Sequence, residues 1–251
     1  MPLNNALRKK WDERGLSGMR ASSAAVLPPR TGYRRVYHLL PVEHAITNIV
    51  FGRIKIARIS DLNDPFELSA LNLRNKTARS LIEAHKQKLD NEKGLLCFSA
   101  DWSDPVLWAH YGVQHRGICL GFDLDETMAI EISYHDRVLA ERLDGSVTSI
   151  DSDLSDRLVK TKFKSWAYEE EWRALVLLSD SIFEGGLYFY PIQTSLELRE
   201  VILGPLCTLP VDAVRELTAA RHNKAKIFGA RLASGFFGIV PNEDTLDPDK
   251  I

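Results

Sequence analysis

The sequence predicts an α+β domain with a mixed, largely antiparallel sheet flanked by helices. Three observations predict it. The chain has 251 residues, 45% hydrophobic and 26% charged, enough to bury a core in one domain without staples. Short runs rich in Val, Ile, Phe and Tyr recur along it, as strands require. Helical patterns fall between them irregularly, without the strict alternation of a doubly wound or barrel fold.

Residues 1–32 carry Arg8, Lys9, Lys10, Arg14, Arg20 and Arg30 and are expected to be a poorly ordered basic arm, with a short helix over 6–14 as the structured alternative. No apolar h-region follows those charges, so this is not a secretory signal. The packed domain is expected over 33–240. An acidic tail, 241–251, holds Glu243, Asp244, Asp247 and Asp249 and is expected to fray.

Val36, Tyr37, Leu39 and Leu40 mark a first strand, which Pro41 stops. A helix over 42–51 carries Ile46, Ile49 and Val50 on one face and ends at Gly52. Ile54, Ile56 and Ile59 mark a second strand, and 61–65 is a turn. Ala78, Leu81, Ile82 and Leu89 stripe a helix over 77–91, and a third strand covers 95–99. Asp104 caps a short helix reaching Tyr111, with Pro105 at its first position. Further strands are expected at 117–122, 172–178, 187–192, 200–203 and 226–232, and helices at 154–163 and 211–222. That gives about eight strands and five helices by periodicity.

Lys and Arg number 32 against 34 Asp and Glu, a net charge of −2, which argues against a nucleic-acid binder working through bulk positive charge. No apolar run approaches the roughly 18 residues that span a bilayer, so no membrane partner is expected. Cys97, Cys119 and Cys207 form neither a disulfide framework nor a zinc pattern, pointing to the cytoplasm. The common phosphate-loop, dinucleotide, zinc-protease and nucleophile-elbow motifs are missing, so chemistry must reside in local clusters.

Three clusters stand out. Leu62-Asn63-Asp64-Pro65-Phe66-Glu67 is ordinary turn chemistry, yet Asn63, Asp64 and Glu67 put polar groups at a strand end that could hold a ribose or a metal. Cys97-Phe98-Ser99 precedes Leu107-Trp108-Ala109-His110-Tyr111. There Trp102, Trp108, His110 and Tyr111 either fill the core or line a pocket for a flat heterocycle. The third, Trp166-Ala167-Tyr168-Glu169-Glu170-Glu171-Trp172-Arg173, is the most informative. If it is extended, Glu169, Glu171 and Arg173 face one side, suited to general-base work or to stabilising a cationic sugar.

These segments, with Gly117-Ile118-Cys119-Leu120-Gly121-Phe122 and Glu200-Val201-Ile202-Leu203-Gly204, resemble the bacterial domain-of-unknown-function family 2971 in order and over most of the chain. That family brings no settled activity. A more distant resemblance is to the ADP-ribosyltransferase superfamily, whose motifs are an Arg or His on the first strand, an aromatic-x-Ser strand and an E-x-E pair. Arg35 or His38, Ser99, and Glu169 with Glu171 match it. The resemblance implies a split sheet around an NAD cleft and no catalytic metal. Glu171 is then expected to stabilise the ribose cation and Glu169 to deprotonate the acceptor. Tyr37, His38, Asn63, Asp64, Ser99, Trp108, His110, Tyr111 and Arg173 are expected to bind the cofactor. Such an enzyme would be a toxin or phage-defence effector, with a protein or nucleic-acid acceptor and an antitoxin or immunity partner.

Two other readings compete. A nuclease would use Asp64, Glu67, Glu169 and Glu171 to hold magnesium. A non-enzymatic nucleotide- or partner-binding module would instead pair Glu169 and Glu171 with Arg or Lys and close them off from any cleft.

Overall fold

A computed structural model of the chain describes residues 28–139 and 149–246. The expected helix at 6–14, most of the basic arm, and Asp247 and Asp249 of the tail lie outside those residues.

The chain opens with β1 (Tyr33–Leu40) and α1 (Val42–Phe51), which Gly52 ends in the left-handed region at φ 63°. After β2 (Arg53–Lys55), a 3-10 turn from Ile59 replaces the end of the expected second strand. Asn75 caps α2 (Lys76–Glu92) by accepting from Thr77 N, and β3 (Lys93–Ser99) follows directly. Asp104 caps α3 (Pro105–His110) through Val106 N. Next come β4 (Ile118–Asp125), β5 (Ile130–Glu131) and β6 (Ser133–His135). Asp151 caps α4 (Ser152–Lys160), then β7 (Thr161–Phe163) and a 3-10 turn lead into β8 (Glu171–Leu177). The rest is β9 (Ile182–Glu184), β10 (Leu187–Pro191), β11 (Leu196–Leu203), α5 (Val211–Ala219), β12 (Lys226–Leu232) and β13 (Ile239–Pro241). The expected helix over 154–163 is therefore corrected: it stops at Lys160, and Thr161-Lys162-Phe163 is strand. The tail is corrected as far as Leu246. Ile239–Pro241 pairs with β12, and Glu243 grips Arg231 through two 2.9 Å hydrogen bonds.

Eight strands form one sheet in the order β13-β12-β11-β4-β1-β3-β8-β5, antiparallel throughout except for β11 and β12. The expected α+β class and largely antiparallel sheet are found. One face of the sheet buries Val36, Leu120, Phe122 and Val201 against α1, β2 and α5. The opposite face buries Tyr37, Trp102, Trp108 and Phe228.

The sheet is nearly parted between β1 and β3. A single register pair, Tyr37 with Ser99, joins them. Beyond it β3 finds other partners. Ala57 forms a two-bond bridge with Leu95, at 2.8 and 2.9 Å, and His38 Nδ1 lies 3.0 Å from the Cys97 carbonyl. A carbonyl only accepts, so Nδ1 carries the proton. Gly94 permits this junction, because a Cβ there would lie 2.2 Å from Ile56 Cγ2 and 3.0 Å from the Ala57 carbonyl.

Gly94→Ala is accordingly expected to cost about 2 kcal/mol or more through overpacking, read as a lowered urea midpoint with an unchanged slope. A wild-type midpoint would contradict this account of the junction.

Candidate functional site

Arg173 organises the site. It alternates with Glu171 on β8, so both side chains point to one face of the sheet. Its side chain has 1% exposure, and all five guanidinium donors are used. Nε and Nη2 reach Glu171 at 2.6 and 3.0 Å. Nη1 and Nη2 grip Glu67 at 2.9 and 2.6 Å, and Nη1 also donates to the Val159 carbonyl at 3.1 Å. Glu67 arrives from the first sequence cluster. Asp64 Oδ1 accepts from Phe66 N at 2.9 Å, and the turn this closes sends Glu67 inward.

Lys162 bridges the remaining carboxylates. It stands on β7 opposite Tyr134 of β6, whose hydroxyl accepts from Glu171 N at 2.8 Å. Its Nζ donates to Glu169 at 2.5 Å and to Glu171 at 2.8 Å, lies 3.6 Å from Glu67, and sits 5.1 Å from the Trp166 ring centroid. Glu169 does not extend β8 as expected. It ends the 3-10 turn Lys164–Glu169, and Glu170 at φ 43° turns the chain into the strand. Convergence of Glu169, Glu171 and Arg173 holds, but the turn produces it for Glu169.

Three buried carboxylates thus face two buried cations. Burial alone would raise the Glu171 pKa, but Arg173 and Lys162 outweigh it and hold the carboxyl below its ordinary 4.5. For Lys162 burial works downward, and Glu171 and Glu169 more than reverse it, so the ammonium is held above its ordinary 10.5. Cys97, opposite Arg173 in the ladder, has its thiol pushed up by burial and by Glu171.

Polar and aromatic groups cover the cluster. Tyr111 donates its hydroxyl hydrogen to Glu169 Oε1 and receives Asn63 Nδ2 at 3.2 Å. Burial, then Glu169, push the Tyr111 phenol well up. Exposed His110 meets the Tyr168 hydroxyl at 3.0 Å through Nδ1, edge-on to both Tyr111 and Tyr168. Trp166 tilts against Tyr168 with centroids 6.2 Å apart.

Asn63, Glu67, His110, Tyr111, Glu169, Glu171 and Arg173 therefore come together from all three sequence clusters. Several expected ligands do not join them. His38 is corrected: by strand alternation it lies on the opposite face from Tyr37, edge-on to Phe98, and burial lowers its pKa. Trp108 is corrected too: it is fully buried, its indole N–H donating to the Trp102 carbonyl at 2.6 Å. Asp64 is spent on its own turn, and Arg173 is a buried clamp without a donor to spare. Ser99 and Tyr37 lie in one cross-strand row with Glu171. The Ser99 hydroxyl, however, exchanges hydrogen bonds with the Asp101 backbone at 2.8 and 3.0 Å. Tyr37 is buried, with Glu200 across Gly121 in the same row. Arg35 shares that face but is tied to Asp123 at 2.9 Å and Glu200 at 2.7 Å.

Lys162 was missed in sequence, because the helical pattern from Leu154 runs on into it. Its signal was the β-branched Thr161 followed by Lys-Phe-Lys alternation. Searches against family models, curated proteins and solved structures found no match to this chain.

Replacing Lys162 with Met leaves Glu169 and Glu171 buried without their shared cation and is expected to cost about 3–5 kcal/mol. Adding Glu169→Gln should recover part of that loss, and a wild-type urea midpoint for Lys162→Met would contradict the bridge. The pH dependence has two sides. The Glu171 contribution is complete above its ordinary 4.5 and lost as pH falls through the folded value. That of Lys162 is complete below its ordinary 10.5 and lost as pH rises through the folded value. Both limbs should shrink in the corresponding Gln and Met variants.

Proposed function

We propose that this chain is an ADP-ribosyltransferase-like enzyme that uses NAD and belongs with the family 2971 proteins it resembles. One observation carries the reading: carboxylates from the first and third sequence clusters meet beneath an aromatic rim to which the second gives His110 and Tyr111. Strand order supports it further. The first strand, the serine strand and the glutamate strand are consecutive neighbours β1, β3 and β8, with Tyr37, Ser99 and Glu171 in one row. The sheet itself is continuous through β1 and β3, and the thinness of that junction, one register pair, is what supports the resemblance there.

NAD supplies an electron-poor ribose and nicotinamide as leaving group. Exposed His110 and half-buried Tyr168, with Trp166 beside them, fit a flat heterocycle. Glu171, kept ionised by Arg173 and Lys162, stabilises the positive charge that grows as the C–N bond breaks, an effect commonly worth a few kcal/mol. Glu169, held by one cation and one phenol, takes the proton of the acceptor. His38 and Trp108 have no part in this version of the site. A bacterial toxin or phage-defence role with a protein or nucleic-acid acceptor fits the same chemistry.

A second reading, a nucleotide-binding module without turnover, is favoured by one specific feature: both glutamates are buried and paired with Lys162 and Arg173. The magnesium nuclease is disfavoured by the same pairing, since a divalent ion at Glu67, Glu169 and Glu171 would meet two fixed positive charges.

Calorimetry with NAD, together with an assay of nicotinamide release, separates the readings. The enzyme reading expects binding and release by the wild type, with Glu171→Gln and Glu169→Gln still binding but about 100-fold slower. Binding without release supports the module. No binding at about 1 mM, the upper end of ordinary KM values, removes the enzyme reading.

A further inference from the structure

We infer that the open edge of the smaller sheet docks a second copy of this chain, which pairs antiparallel with it about a two-fold axis at Phe183. The smaller sheet runs β2-β10-β9, so among the described residues β9 has one side without a partner strand. Gly185 and Gly186, at φ 60° and 81°, make the two-residue turn that joins β9 to β10. Such a turn is closed by hydrogen bonds between the residues that flank it, Glu184 and Leu187. Bonded and non-bonded pairs alternate along an antiparallel ladder, so the next pair, Phe183 and Tyr188, points its backbone groups outward. Tyr188 shows this directly: its carbonyl accepts from Ile56 N at 2.8 Å, on the β2 side. The Phe183 N–H and C=O therefore face the open edge, while Ile182 and Glu184 spend theirs on β10.

One outward donor and one outward acceptor on the middle residue of a three-residue strand are self-complementary. A second copy turned through 180° meets both, each Phe183 N–H donating to the Phe183 carbonyl of the other copy. The side chains fit the same axis. Phe183 is 63% exposed and its ring centroid lies 4.8 Å from that of Tyr188, so pairing joins four rings into one cross-strand row. On the other face Ile182, 40% exposed, falls opposite Glu184 of the second copy, whose charge Arg53 holds at 2.7 Å. Charge is therefore complementary across the axis: the two Glu184 side chains do not face each other, and each brings its own cation. The β13 edge of the large sheet differs, because Ile239 N there already donates to the Ser103 carbonyl at 2.9 Å. The smaller sheet packs on the face of the large sheet that carries Val36 and Phe122, away from the face that carries Tyr37. Arg173 and Glu171 share the Tyr37 face, so the axis lies on the far side from the carboxylate cluster and the inference does not depend on the glycosyl-transfer reading.

Sedimentation equilibrium of the full chain, from micromolar to submillimolar concentration, tests the pairing, since an interface built on one short strand belongs with the small, transient class. The wild type should fit a monomer–dimer equilibrium. Phe183→Lys and Phe183→Glu, each at an exposed ring, should keep the wild-type circular dichroism and dimerise at least about tenfold more weakly, because like charges then meet across the axis. An equimolar mixture of the two should recover the dimer, since lysine then faces glutamate. Phe237→Lys, at a fully exposed ring in the β12–β13 loop, should leave the equilibrium unchanged. A wild type that stays monomeric throughout the range overturns the inference, as does a dimer that survives Phe183→Lys. A mixture that stays monomeric overturns the two-fold register. Growth beyond the dimer, which signals head-to-tail contact, overturns it as well. So does a loss with Phe237→Lys equal to that with Phe183→Lys, since association would then be unspecific.

Discussion

Burying a guanidinium is the constraint around which this protein is built. Arg173 gives up water entirely, and an unpaired charge in that position would cost several kcal/mol. It is tolerated because Glu67 and Glu171 present four oxygens in fixed positions and a backbone carbonyl takes the last donor. Those partners come from a turn, from α4's C-terminal end and from the same strand. The turn after the second strand, β7 and β8 must then close together. Lys162 extends the demand to the 3-10 turn that carries Glu169. An apolar core of equal volume is often as stable as such a cluster, so the ionic version is better understood as a device that keeps the Glu171 carboxylate charged inside the molecule than as a source of stability.

Two glutamates on one sheet face illustrate how environment decides charge. Glu171 and Glu200 stand at opposite ends of the row through Gly121, Tyr37 and Ser99. Burial raises the pKa of both. At Glu200 burial prevails over Arg35, which Asp123 shares, and the carboxyl is held above its ordinary value. At Glu171 two cations reverse the sign. The close approach of Glu200 and Tyr37 over Gly121 leaves no room there for a side chain, a Cβ lying 2.8 Å from the Glu200 carboxylate.

Much of the fold was legible because the local signals were complete. Pro41 and Gly52 bracket α1, and Asp104-Pro105 announces α3. The strand expected over 226–232 matches the bounds of β12 residue for residue. Strands of two or three residues, such as β5, β6 and β7, carry too little alternation to be seen, and β7 was hidden behind the periodicity of α4. That the three clusters meet was also legible, since Asn63, Tyr111, Glu169 and Glu171 are linked by hydrogen bonds, directly or through Lys162. What composition cannot supply is parity. His38 and Tyr37 are neighbours in sequence but face opposite sides, and only the pairing of Tyr37 with Ser99 and Ser99 with Glu171 says which side counts. Trp108 resembled a ligand platform, yet its helix is so short that its inward face is core.

The most direct test of the ionised cluster is a carbon-detected titration of the side-chain carboxyls in protein labelled at glutamate. Glu171, held by two cations, should titrate below its ordinary 4.5 while Glu200 titrates above it. A Glu171 carboxyl that takes up its proton at or above 4.5 would mean that Arg173 and Lys162 do not hold its charge.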